Sequence, residues 1–224
     1  GVRIAEQAVA ARVGRTASSQ KRMSSSTPNV RGWIGTPVQE PQITWVWHTA
    51  PARSLDDLRA NLVRMGATTS SADNYILPTL VNRLLGTKMQ VVTGYIGQNE
   101  INLAVERGEV DGHSTSWTAV KVAHPDWRPQ KKINVVVQFS VKRHPEMADV
   151  PTVVELARND EERKILSAVV NAAEIGTAFF TTPGAPPDRV EALRRAFDAT
   201  MKDPEFLAEA ERSQLTVGPL TGGD

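Results

Sequence analysis

The 224-residue sequence carries a formal net charge of +1, with 40% apolar and 23% charged residues. That length buries a sizeable core as one large domain or two small lobes, and the balanced charge argues against a nucleic-acid surface or a polybasic membrane contact. Cysteine is absent, which excludes disulfides, thiolate catalysis and Cys-ligated zinc.

No apolar run approaches the ~20 residues needed to span a bilayer. Glu6 interrupts the apolar stretch from Ile4 to Val13, so no secretory signal core is read there. The first residue is Gly1, as in a processed product or a fragment, so the missing signal says little about destination. Residues 1–30 show no sustained period, and 14–30 are rich in Ser and Arg. A poorly packed lead-in is expected.

From Gly32 the pattern is regular. The apolar run 43–47 predicts a strand. Ser54 before Leu55-Asp56-Asp57-Leu58 predicts a capped short helix. Residues 63–67 predict a strand and 68–73 a small polar turn. Ile76, Leu77, Leu80, Val81, Leu84 and Leu85 then share a helical face that Gly86 terminates. Pro78 should kink or restart this helix. A strand at 89–92, a turn at 94–97 and a helix at 99–107 stopped by Gly108 follow. Val110 opens another strand, and 133–137 form a β-branched one.

The last third predicts a helix at 161–173 and a strand at 178–181. Pro187 opens a helix with a buried stripe of Val190, Leu193, Phe197 and Met201. Asp203 caps the final helix, with Pro204 at its first position and Phe206 and Leu207 turned inward. Strands alternating with helices of this size indicate an α/β fold with mainly parallel sheets.

Two polar turns follow strand carboxyl ends, where open α/β sheets bind ligands. Thr68, Thr69, Ser70 and Ser71 set amides and hydroxyls at a helix start, where an anion gains about 0.3–2 kcal/mol from the dipole. Tyr95, Gly97, Gln98 and Asn99 repeat the arrangement one unit later. Both turns also fit ordinary strand-to-helix caps.

Catalytic patterns are poor. Asp111, His113 and Ser114 lie close in sequence, but no G-x-S-x-G elbow is present and a triad needs spatial geometry. His48, His113, His124 and His144 lack zinc-site spacing. Gly86-Thr87-Lys88 lacks the upstream glycine of a P-loop. No catalytic residue, metal ligand or cofactor is read from the sequence. Trp33, Trp45 and Trp47 fit core or hinge positions, and Trp117 fits either a core or a cleft wall.

One ordered series of motifs carries more information. Gly66-Ala67-Thr68-Thr69-Ser70-Ser71 precedes Gly94-Tyr95-Ile96-Gly97-Gln98-Asn99-Glu100 and Arg107-Gly108-Glu109-Val110-Asp111-Gly112. Asp149-Val150-Pro151-Thr152-Val153, Pro183-Gly184-Ala185-Pro186-Pro187 and Asp203-Pro204-Glu205-Phe206 complete it. This series, over about residues 32–217, resembles the Bug-type extracytoplasmic receptors of tripartite tricarboxylate transporters.

The resemblance implies a type II periplasmic-binding fold, two α/β lobes joined by crossover strands. The second lobe would be nearly complete at 44–177. A partial first lobe would be formed by the lead-in 1–43 and the return 178–224. It implies a periplasmic, non-enzymatic receptor that binds a small carboxylate, di- or tricarboxylate and delivers it to membrane permease subunits. Ligand contacts would come from the 68–71 and 95–99 turns, with Asp111, Ser114 and Trp117 bordering the same cleft. Pro78 and the Thr69-Ser70 pair depart from the family's more glycine-rich turn, and residues 1–31 do not match its opening. The runner-up reading is the effector-sensing domain of a transcriptional regulator, against which the lack of a helix-turn-helix segment counts. A serine hydrolase is more distant.

Overall fold

The computed structural model describes residues 32–38, 40–174, 178–213, 215 and 217–222. The lead-in read at 1–30 lies outside the described residues. The chain divides into two units: the described residues before Pro41 with those after Glu174, and the segment Pro41–Glu174.

In chain order the elements are β1 (Trp33–Thr36), β2 (Gln42–Trp47), α1 (Leu55–Ala60), β3 (Val63–Ala67) and α2 (Asp73–Leu85). Next come β4 (Met89–Thr93), α3 (Gln98–Glu106), β5 (Gly112–Ser116), α4 (Trp117–Ala123) and β6 (Ile133–Phe139). A 3-10 turn at Pro145–Met147 leads to α5 (Asp160–Glu174). The chain ends with β7 (Phe179–Phe180), α6 (Pro187–Thr200), α7 (Pro204–Arg212) and β8 (Leu220–Thr221).

The larger unit is built on a five-stranded sheet in the order β4-β3-β5-β2-β6. β3 runs parallel to β4 and β5, while β2 is antiparallel to both β5 and β6. The sheet is therefore more mixed than the alternation of strands and helices predicts. No crossover helix leads into β2, so the handed connection that aligns parallel strands does not act on it.

Alternating side chains supply two cores. Val46, Val63, Met65, Val137 and Phe139 pack with Leu58, Leu77, Val81 and Leu166 on one face. Ile43, Trp45 and Ile133 pack with Ile101, Val105, Trp117, Val120 and Trp127 on the other. β2 and β5 lie unusually close at Gly112, where a Cβ would strike the Trp45 carbonyl oxygen.

Local signals explain the helix ends. Ser54 and Asp57 form a reciprocal capping box at α1, satisfying two otherwise orphaned amides. Gly86 closes α2 in the left-handed region at φ 72°, which costs glycine little. Pro78 does not break or restart α2, which runs unbroken from Asp73 to Leu85. It lies in the second turn and is buried with Leu77, Leu80 and Val81, so packing offsets the lost backbone bond. The strand expected from Val110 begins at Gly112.

The smaller unit has β1 between β7 and β8, both antiparallel to it. Trp33 Nε1 donates to the Thr221 carbonyl at 2.9 Å, and Arg194 Nε to the Trp33 carbonyl at 2.9 Å. Pro187 opens α6, and Asp203 caps α7 through Glu205 and Phe206 amides. The expected buried stripe of α6 is only partly realised. Val190 is buried, Phe197 and Met201 are half-buried, and Leu193 is 46% exposed. Leu207 of α7 is likewise exposed and Phe206 half-buried. A small sheet of two- and four-residue strands has too little surface to cover both helices.

Candidate ligand-binding edge

The carboxyl ends of β3 and β4 lie side by side, because these strands pair in parallel from Val63↔Met89 to Ala67↔Thr93. The 68–71 turn therefore adjoins the 95–99 turn. One backbone bond ties them: the Gly94 amide donates to the Thr68 carbonyl at 3.1 Å. Gly94 takes φ 117°, which lets the chain fold back there without a Cβ clash.

Asn74, a buried residue of α2, fixes the first turn from beneath. Its Oδ1 accepts from the Thr68 amide at 3.2 Å and lies 3.4 Å from the Thr68 hydroxyl. The Thr69 and Ser71 hydroxyls are 3.2 Å apart, and Thr69, Ser70 and Ser71 are exposed. The sequence reading missed Asn74, although an amide side chain at the second position of a helix is a visible sign of a turn held from inside.

Helices α2 and α3 both start at this edge, and neither Ala72 nor Gly97, their N-cap residues, makes a side-chain cap. By contrast, Ser54, Ser116 and Asp203 cap α1, α4 and α7 with their side chains. No N-cap side chain therefore occupies the leading amides of α2 or α3, which two helix dipoles back. Asp73 occupies the first turn of α2 and Glu100 that of α3. The Glu100 carboxylate accepts the Ile96 amide at 2.5 Å, which pins the second turn. Tyr95 packs its ring against the Trp45 core, and burial raises its hydroxyl pKa above the usual value.

Of the other expected site residues, Asp111 lies at the far end of the sheet and Ser114 within it, while Trp117 follows β5 at the carboxyl edge with its ring turned into the core. Asp111 precedes β5 and Arg64 sits near the start of β3, at the opposite end of the sheet from both turns. Asp111 accepts the Arg64 amide at 2.7 Å and its guanidinium at 2.9 Å. It forms a structural ion pair and lies away from both turns. Ser114 is buried inside β5, its hydroxyl 2.7 Å from that of Thr44 in β2. Trp117 starts α4 after β5, but its ring is buried in the second core. Its Nε1 donates to Glu146 at 2.6 Å.

Trp117 instead backs a surface cavity of about 420 Å³ with Lys121, His124, Arg128 and Glu146. Lys121 and Glu146 pair at 2.9 Å, and Arg128 pairs with Asp149 at 2.7 Å. Burial pushes Glu146 upward, but hydrogen bonds from Lys121 and Trp117 outweigh it and hold the carboxyl below its ordinary value.

His113 faces the core opposite Ser114. Its Nε2 is 2.9 Å from Asn102 Oδ1 and its ring meets Trp45 edge-on at 4.9 Å. Burial lowers its pKa to about 4. Asp111, His113 and Ser114 therefore form no triad. Among the described residues, no group of three or more His, Asp or Glu could hold a metal ion. No helix among them is long and apolar enough to cross a membrane.

No family model matches the sequence, and no curated protein matches it. Solved structures do. The chain is similar to a TctC solute binding protein from Polaromonas solved without ligand, at 17% identity and a TM-score of 0.62. That likeness covers 91% of this chain and 67% of the other. The chain has the fold of a periplasmic solute-binding protein. The fold is also that of periplasmic binding protein BugD, at 17% identity, a TM-score of 0.55 and coverage of 83% and 59%. An R. palustris protein with adipate shares it at 18% identity, a TM-score of 0.53 and coverage of 89% and 65%. The chain thus spans about three fifths to two thirds of the length of these solute-binding relatives.

Proposed function

We propose that this chain is the binding component of a transport system, capturing a small organic anion outside the cytoplasm for delivery to a membrane permease. The observation that carries the reading is the pair of helix N-termini without side-chain caps, brought together by the Gly94–Thr68 bond at the sheet's carboxyl edge. Oriented amides and hydroxyls of Thr68, Thr69, Ser70, Ser71, Gly97, Gln98 and Asn99 would receive the carboxylate, with Tyr95 as a wall. A ligand held there by hydrogen bonds and helix dipoles would be bound and released reversibly. The adipate in a structure of the same fold supports the ligand class.

Thermal melting with a panel of carboxylates that includes adipate tests this. A ligand that binds only the folded form raises the midpoint, by about 2.7 kcal/mol of stability at a hundredfold excess over Kd. The reading predicts such a rise for at least one carboxylate and none for matched neutral amides. A flat response to every acid would overturn it.

A further inference from the structure

Resting on that reading, we infer that this edge selects a singly charged carboxylate with an aliphatic tail, and that Ile96 is the specificity-determining contact. The charges at the edge point this way. The 68–71 and 95–99 turns contain no Lys or Arg, while Asp73 and Glu100 stand in the first turns of the two helices. Together the two helix starts supply at most about one elementary positive charge, and neither turn adds a cationic side chain for a second carboxylate. A second carboxylate on the ligand would meet Asp73 and Glu100.

Cations exist outside the two turns: Lys121, in the helix after β5, is bound to Glu146 at 2.9 Å. Arg64 is bound to Asp111 at the far end of the sheet. Lys142 and Arg143 follow β6, three strands from β3 in the sheet order, about 14 Å at ordinary strand spacing. Arg143 is held by Glu155 at 3.0 Å.

Ile96 supplies the apolar half of the argument. It is 93% exposed, yet its backbone is not loose. Glu100 holds its amide, Tyr95 before it rests on the core, and Gly97 after it caps α3. A β-branched side chain has few rotamers, so it stands as a fixed apolar prong beside the amide donors. A hydrocarbon tail leaving an anchored carboxylate gains by packing on it.

Calorimetric titration of the full chain with hexanoate, butanoate, acetate and adipate tests the inference. Hexanoate and adipate share a six-carbon chain and differ in one terminal charge. Hexanoate is expected to bind at least about tenfold tighter than adipate. Each methylene lost toward butanoate should weaken binding about fourfold. Ile96→Ser should weaken hexanoate about tenfold and leave acetate unchanged. Asp73→Asn with Glu100→Gln, which keeps an acceptor for the Ile96 amide, should narrow the gap between hexanoate and adipate. Adipate binding as tightly as hexanoate, or Ile96→Ser matching the unaltered chain, would overturn the inference while leaving anion capture intact. Binding of none of the four acids would remove the proposed function itself, and this inference with it.

Discussion

His113 and Ser114 are consecutive in β5, yet they serve opposite faces of the sheet. The imidazole meets Asn102 and Trp45 on the α3 side, and the serine hydroxyl meets Thr44 across the strand pair. A strand's period of two forces this separation. Two residues that look like a nucleophile and its base in sequence are thereby kept from cooperating. Each satisfies a buried polar neighbour that would be costly to leave unpaired.

Ser114→Ala would leave the buried Thr44 hydroxyl without its partner. We expect a loss of about 1–3 kcal/mol, the ordinary cost of an unsatisfied buried group. Adding Thr44→Val should recover part of that loss, since both polar groups are then gone. Denaturant midpoints of the two single variants and the double variant measure this. Simple additivity of the two single losses would show that the hydroxyls do not depend on each other.

Burial holds the His113 pKa at about 4, against 6.5 for an exposed imidazole. Below pH 6.5 the unfolded chain takes a proton at this site that the folded chain refuses. Stability from this group is full at pH 7.5 and falls as the pH drops, by about 2 kcal/mol at pH 5. Burial also lowers His124, which acts in the same direction. Urea midpoints at pH 7.5, 6 and 5 should therefore fall steadily, and less steeply for His113→Gln. An equal slope in that variant would mean that the imidazole is not buried as a neutral group.

Gly112→Ala probes the close approach of β2 and β5. The added methyl has no flexible neighbour to displace, because the obstacle is the Trp45 backbone. Overpacking of this kind costs typically 1–3 kcal/mol, and a rigid obstacle raises it. Gly97, where a Cβ meets open space and φ is extended, is the matching control. Gly97→Ala should melt close to the unaltered chain. Comparable losses at both positions would argue against the β2–β5 register.

Most of the larger unit was legible because its signals are local. Ser54, Gly86 and Gly108 mark helix ends there by side-chain oxygen or positive φ, as Asp203 does in the smaller unit. The two polar turns could be singled out because each follows an apolar strand and opens a helix. What sequence could not supply was direction across the sheet. Asp111 is close to Trp117 in the chain, but the whole of β5 lies between them and puts the carboxylate at the far end of the sheet. Ser114 and Trp117 read as cleft candidates, whereas strand alternation turns Ser114 onto Thr44 and the Trp117 ring packs into the second core. On α6, the heptad-like spacing of Val190, Leu193 and Phe197 reports a face without reporting how much of it is covered.

The sharpest test of the edge is Ser70→Asp. Ser70 is exposed in the turn between β3 and α2, where amides and the α2 dipole would receive the ligand's carboxylate. A fixed negative group there competes for the same donors and repels the incoming anion. An acid near a helix N-terminus is itself well tolerated, so melting without ligand should stay within about 0.5 kcal/mol of the unaltered chain. Binding of the best acid from the thermal panel should fall by at least about a hundredfold, or roughly 2.7 kcal/mol. In the unaltered chain the same titration should weaken only modestly between low and physiological salt. Oriented amides within contact distance are screened far less than exposed ion pairs separated by a Debye length of ~8 Å. A steep salt dependence would indicate capture by surface charges instead. Unchanged affinity in Ser70→Asp would remove the 68–71 turn from the site, even if the fold and the transport reading stood.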